Sequence, residues 1–121
     1  MYQKIETWLN DVLEQEIPSS VKAFCFNLYE DGDDGWSIEL VGTASFDLDD
    51  EDWACDEITD FGTREDPLSW KTETDWDEVL SDAASALKQY LESGLYADVL
   101  KSRTGVAVGF VDGNLEILHS N

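Results

Sequence analysis

Few residues in this chain have side chains suited to covalent or metal chemistry. There is one histidine, His119, and there are two cysteines, Cys25 and Cys55. A thiol nucleophile needs a base within hydrogen-bond reach, and nothing in the sequence places His119 beside either cysteine. His119 also falls in a terminal stretch, where fraying makes a poor seat for a catalytic base. Each cysteine stands among bulky apolar neighbours, Phe24-Cys25-Phe26 and Trp53-Ala54-Cys55. Both are therefore expected to be buried thiols of a reducing compartment, not a bridge. No Cys-x-x-Cys or His-Glu-x-x-His spacing occurs, which argues against zinc. No glycine-rich phosphate loop occurs either. Gly105 and Gly109 lie inside a strand pattern, where small residues permit close packing.

The carboxylates are numerous, with 28 Asp and Glu against seven Lys and Arg. A calcium loop of the helix–loop–helix type wants oxygen ligands at its first, third and fifth positions, Gly at the sixth and a bidentate Glu at the twelfth. Counted from Asp47, the third and fifth positions are Asp49 and Glu51, but the sixth is Asp52 and the twelfth is Ile58. The turn and the bidentate ligand both fail. The run from Asp31 to Asp34 has too few spaced ligands to do better. A pair of carboxylates could work as general acid and base in a hydrolase, but among so many acids no pair is singled out. The reading is of a non-enzyme with no catalytic residue, metal site or cofactor.

The elements that must carry these acids show in the hydrophobic periodicity. Tyr2, Ile5, Trp8, Leu9, Val12 and Leu13 recur at helical spacing, and Pro18 marks the end of that segment. The period then changes to two. Residues 21–29 read as a strand with Phe24, Phe26 and Leu28 on one side and Ala23, Cys25 and Asn27 on the other. Glu30-Asp31-Gly32-Asp33-Asp34-Gly35 is a turn, and residues 36–46 return, with Trp36, Ile38 and Leu40 on one face and an interruption at Gly42 that suggests a bulge. Residues 47–70 follow no single period, with room for a short strand or helix at 53–58. Asp75 and Glu78 have capping-box spacing ahead of a stripe of Val79, Leu80, Ala83, Ala84, Leu87, Tyr90 and Leu91 that Gly94 ends. Residues 95–101 add helical turns with Leu95, Val99 and Leu100 inward. Residues 104–111 and 114–119 form a hairpin about Asp112-Gly113. The sum is one α+β domain over residues 1–121, with a four- to five-stranded, mostly antiparallel sheet and two helices packed on one face.

Composition bounds the partner. The formal net charge is −21, with 42% hydrophobic and 12% aromatic residues among 121. That apolar content belongs to a folded domain and not to an acidic tail. The charge argues against binding nucleic acid through phosphates and against docking on anionic lipid. The first residues lack a signal-type apolar core, and no apolar run spans a bilayer, so a cytoplasmic setting is expected. The acids are clustered: Asp47, Asp49, Asp50, Glu51, Asp52, Asp56, Glu57 and Asp60 have no base among them, Asp31, Asp33 and Asp34 lie in the turn, and Glu73, Asp75, Asp77, Glu78 and Asp82 flank the second helix. One meaning of such a surface is solubility alone. The sharper one is a basic protein partner, steered by charge and held by aromatic anchors inside the charged rim. Trp53 is the first candidate anchor, with Phe61, Trp70, Trp36 and Trp76 nearby in the sequence, and at least one tryptophan is expected to stand exposed.

Small size, acidity, an α/β arrangement and the absence of a catalytic set, together with Asp52-Trp53-Ala54-Cys55-Asp56-Glu57 and Gly105-Val106-Ala107-Val108-Gly109-Phe110-Val111-Asp112-Gly113-Asn114, resemble the immunity proteins that bacteria encode beside polymorphic and contact-dependent-inhibition toxins. The resemblance implies a protein that binds a cognate basic toxin domain, often a nuclease, and blocks its active site or substrate groove. Asp31, Asp33, Asp34, Asp49, Asp50, Glu51, Asp52, Trp53, Asp56 and Glu57 are the partner-binding candidates. An acidic DNA mimic that occupies a nucleic-acid-binding protein, and a carboxylate-based hydrolase, are the alternatives.

Overall fold

The computed structural model describes residues 2–63, 67–110 and 115–120; within these, the side chains of Glu51, Cys55 and residues 59–62 lie outside the description. Among the described residues there are six strands and three α-helices. In chain order they are α1 (Tyr2–Val12), β1 (Ala23–Gly32), β2 (Gly35–Thr43), β3 (Glu57–Gly62), β4 (Leu68–Lys71), α2 (Trp76–Ser93), α3 (Ala97–Lys101), β5 (Gly105–Phe110) and β6 (Glu116–Ser120), with a short 3-10 helix over Glu51–Cys55 ahead of β3. The expected turn at Asp112-Gly113 lies outside the described residues.

The sheet order is β3-β2-β1-β5-β6, and β4 pairs with β2 on the same edge as β3. Four of the pairings are antiparallel, but the central one, β1 with β5, is parallel, from Ala23 opposite Gly105 to Leu28 opposite Phe110. The α+β reading therefore holds, while the sheet is mixed and larger than the expected four to five strands. Two edge strands account for the difference. β3 and β4 come from the stretch in which no period was legible, and they share the outer edge of β2 by taking different lengths of it. Thr63 sits at the switch between them: its amide donates to the Leu40 carbonyl (3.0 Å) and its hydroxyl oxygen accepts from the Leu40 amide (2.9 Å). The irregularity expected at Gly42 is present as a register shift against β3 between Val41 and Thr43.

One face of the sheet carries Phe24, Phe26, Leu28, Trp36, Ile38, Leu40, Val106 and Val108, and these share a single core with the stripes of α1 and α2 and with Leu100 of α3. Each large side chain fully withdrawn from water here contributes about 1.5–3 kcal/mol. α1 buries Ile5, Trp8, Leu9 and Val12 as its spacing predicts. It stops well before Pro18, because Glu14, Gln15 and Glu16 offer the core nothing. α2 buries Val79, Ala83, Ala84, Leu87, Tyr90 and Leu91. Two details of the helical reading are corrected. Asp75 is the N-cap residue by its backbone, but its side chain makes no capping bond. Leu95, expected inward, is 71% exposed, because it lies in the link between α2 and α3 and not in a helical turn.

Gly94 ends α2 for a reason periodicity could not reveal. Its backbone is extended (φ −69°, ψ 156°), not left-handed. A Cβ there would come within 2.6 Å of the Tyr90 ring. Tyr90 is fully buried. Its hydroxyl donates to Asn10 Oδ1 at 2.7 Å and accepts from the Tyr96 amide at 3.2 Å, so one phenol joins α1, α2 and the approach to α3.

Burial pushes the Tyr90 phenol above its ordinary value of 10.0. The neutral form is favoured by the fold, so its contribution is complete below pH 10 and is lost as pH rises through the raised folded value. Tyr90→Phe, which leaves the Tyr96 amide and Asn10 without this partner, is expected to cost about 1–3 kcal/mol at neutral pH. The gap between wild type and variant should narrow above about pH 10, as read by urea unfolding across that range.

Candidate partner-binding surface

The two acid clusters named from the sequence lie at opposite ends of the β1–β2 ribbon. Gly32 pairs with Gly35 at one end and Ala23 with Thr43 at the other. At about 3.3 Å per residue, the ends are roughly 30 Å apart, about the full width of a standard protein interface. Asp31, Asp33 and Asp34 belong to the first end, and Asp49, Asp50, Asp52, Asp56 and Glu57 to the second. No single ordinary contact is centred on both.

At the turn end, Asp33 and Asp34 are the two central residues of a tight hairpin turn, both with positive φ (51° and 61°), after Gly32 at φ 82°. That geometry is the one in which Asn-Gly is preferred. All four residues 31–34 are exposed. The turn is tied to the chain leaving β4, with the Thr72 amide donating to the Asp34 carbonyl at 2.9 Å. The Trp36 indole donates to the Thr72 carbonyl at 3.1 Å, and Trp36 pairs across the strands with Trp70. Between turn and β4 runs a cleft of about 440 Å³ lined by Asp31, Gly32, Asp33, Gly35, Trp36, Ser69, Trp70 and Lys71. On the helix-covered side, α2 begins with Trp76. The Trp76 ring stands edge-on to Phe110 (6.2 Å, 89°), and Phe110 stands edge-on to Trp36 (6.0 Å, 68°). Glu73, Asp75, Asp77 and Glu78 are exposed around it.

At the other end, the acids partly serve the chain that bears them. Asp47 Oδ1 accepts from the Asp49 amide at 2.9 Å, and Asp50 Oδ1 accepts from the Asp52 amide at 3.0 Å, which caps the 3-10 helix. Asp49, Asp52, Asp56 and Glu57 are exposed. Trp53 is not: it is 4% exposed, and its place as an exposed anchor is corrected. In a 3-10 helix successive side chains splay about 120° apart, so Asp52 faces water while Trp53 turns onto the second face of the sheet. There it joins Ala23, Cys25, Val41 and Ala107 and meets the Phe46 ring edge-on at 4.8 Å. Its indole nitrogen has no hydrogen-bond partner. Phe46 in turn lies against Gly105, where any side chain would strike its ring. The side chains of Glu51 and Phe61 lie outside the described residues. Trp36 and Trp70 are buried at 3% and 9%, and Trp76 at 57% is the exposed tryptophan.

Sequence reasoning missed a polar cluster on the second face. Glu39 is 3% exposed. Its Oε1 accepts from the Tyr29 hydroxyl at 2.9 Å and from Asn27 Nδ2 at 3.2 Å, and the Cys25 thiol donates to Asn27 Oδ1 at 3.3 Å. The signal was present in the strand alternation: Asn27 and Glu39 are direct cross-strand partners. Donors aimed at one carboxylate oxygen offset the cost of burying it. Glu39 lines neither the cleft at the turn nor the cleft beside α3 formed with Leu13, Ile17 and Arg103. Among the described residues, no group of three or more His, Cys, Asp or Glu is disposed to hold a metal ion, and no helix is long and apolar enough to cross a membrane.

Two outcomes follow for stability. Replacing the turn pair by Asp33→Asn with Asp34→Gly is expected to raise stability by about 1 kcal/mol, because the new residues suit positive φ, as measured by the urea midpoint. Trp53→Ala should lower stability by about 3–5 kcal/mol as a large buried deletion, whereas Trp76→Ala should stay within about 0.5–1 kcal/mol. Equal costs for the two tryptophans would contradict the assignment of one to the core and one to the surface. Compared with protein-family models, with curated proteins and with solved structures, the chain matches none.

Proposed function

We propose that this chain is an immunity-type protein, a cytoplasmic binder that neutralises a basic toxin domain, of which a nuclease is the kind best suited to the charge. The observation that supports this is the clustering of exposed carboxylates at both ends of the sheet in a chain of net charge −21. Such clusters repel one another and lower the stability of the compact state. A small domain needs a net charge of only about 2–8 to stay dissolved. A basic partner relieves the repulsion on binding, and the long-range field draws that partner in. Against a nuclease, the carboxylates stand where substrate phosphates would lie.

The test begins with the adjacent gene. A toxin domain encoded there, purified and mixed with this protein, should associate with a rate that falls about tenfold or more between low and physiological salt, while dissociation changes by less than about threefold. Stopped-flow fluorescence separates the two rates. An association rate indifferent to salt, or an adjacent product with no affinity for this protein, would count against the reading.

A further inference from the structure

We infer that residues 44–56 form a strap that opens locally over Cys25 and is clamped shut when its carboxylates are neutralised, so that charge on this segment gates access to the second face of the sheet.

The strap has a closed base and two apolar pins. At the base the Ala44 amide donates to the Asp56 carbonyl at 2.9 Å, and the Asp56 amide donates to the Trp53 carbonyl at 3.0 Å. The pins are Trp53 and the partly buried Phe46, whose rings meet edge-on and pack with Ala23, Cys25 and Ala107. Between the pins, Asp47, Leu48, Asp49 and Asp50 are exposed, and the bonds accepted by the Asp47 and Asp50 side chains stay within the strap. Beneath lie the small side chains of Ala23, Cys25 and Ala107, each 0% exposed. Lifting the pins therefore uncovers Cys25.

Two forces oppose closure. The first is charge. Residues 44–60 contain no Lys or Arg, and among the described residues no ion pair neutralises Asp47, Asp49, Asp50, Asp52 or Asp56. Winding Glu51–Cys55 into a 3-10 turn gathers these like charges, and their repulsion works against the pins. The second is the Trp53 indole, which is 4% exposed and whose N–H has no hydrogen-bond partner. Closure takes this donor out of water and gives it no acceptor, an unfavourable exchange that opening reverses. Both forces narrow the gap between the closed strap and an open one, and local openings of such elements occur well below the cost of unfolding the whole domain. A cationic protein surface laid on the strap removes the first force, so a basic partner closes it. That last step rests on the basic-partner reading; the opening does not.

The test labels the wild-type protein with iodoacetamide, a neutral thiol reagent, and reads Cys25 apart from Cys55 by peptide mass spectrometry. Raising salt from about 0.01 to about 0.5 M cuts the reach of the repulsion several-fold, and should slow Cys25 labelling about threefold or more. Asp49→Asn with Asp52→Asn leaves the bonds to the Asp47 and Asp50 side chains in place. It should slow labelling about threefold at low salt and flatten the salt dependence. Asp31→Asn with Glu73→Gln removes the same charge at the turn end and should change the rate less than about 1.5-fold. The Ala44 and Asp56 amides should exchange hydrogen faster than the Phe26 amide of β1. Equal slowing by the two charge pairs, or exchange at Ala44 and Asp56 no faster than at Phe26, places the opening in global unfolding and overturns the strap. So does a labelling rate that neither salt nor the Asp49 and Asp52 pair changes. None of these results touches the basic-partner reading, which is judged separately by the salt dependence with the natural toxin domain.

Discussion

The repulsion among 28 carboxylates is the constraint that every other feature of this molecule must satisfy. No basic residues exist in number to neutralise them, so the fold is held by a core that carries almost no charge. The arrangement that achieves this is a sheet covered on both sides. Helices seal one face with large aliphatic and aromatic residues, and the 3-10 segment with Phe46 and Trp53 covers part of the other, where β1 and β5 present only Ala23, Cys25 and Ala107. The small residues on that face are what let a short, acid-rich segment lie close. Among the described residues, the acid that enters the interior is Glu39, and a phenol and an amide donate to it. Elsewhere the described acids stay at the surface, and two clusters of them lie at the ends of the ribbon.

How much of this was legible in the sequence depended on how local its cause was. α1, α2 and the β1–β2 hairpin declare themselves because each buries one face, and a one-sided burial leaves a period. β3 and β4 are too short to leave one: β4 turns Leu68 and Trp70 to the core and Ser69 and Lys71 outward, an alternation of only four residues along the edge of β2. The parallel pairing of β1 with β5 is set by the crossover through α2 and has no local signature either. The acid clusters were visible as clusters, but their separation was not, because distance along a ribbon is a property of register. Trp53 misled for the same reason: its neighbours in sequence are acids and its neighbours in space are not. Trp76 was named only as a border residue. Its exposure arises because α2 starts at the rim of the sheet, beside Phe110, the last residue of β5.

The central position of the parallel pair has a consequence for the order in which the molecule can assemble. β1 lies between β2 and β5, and its register partners on the β5 side are more than 80 residues later in the chain. During synthesis the hairpin can close as soon as it leaves the ribosome, but one long edge of β1, rich in Phe and Leu, then waits bare for most of the translation time. Topologies dominated by such distant pairings fold slowly and expose strand edges while they do. Like charge on every nascent copy keeps those edges apart from one another during the wait. The carboxylates at the turn are already in place by then, so the same surplus that burdens the finished fold acts earlier as its own protection against aggregation.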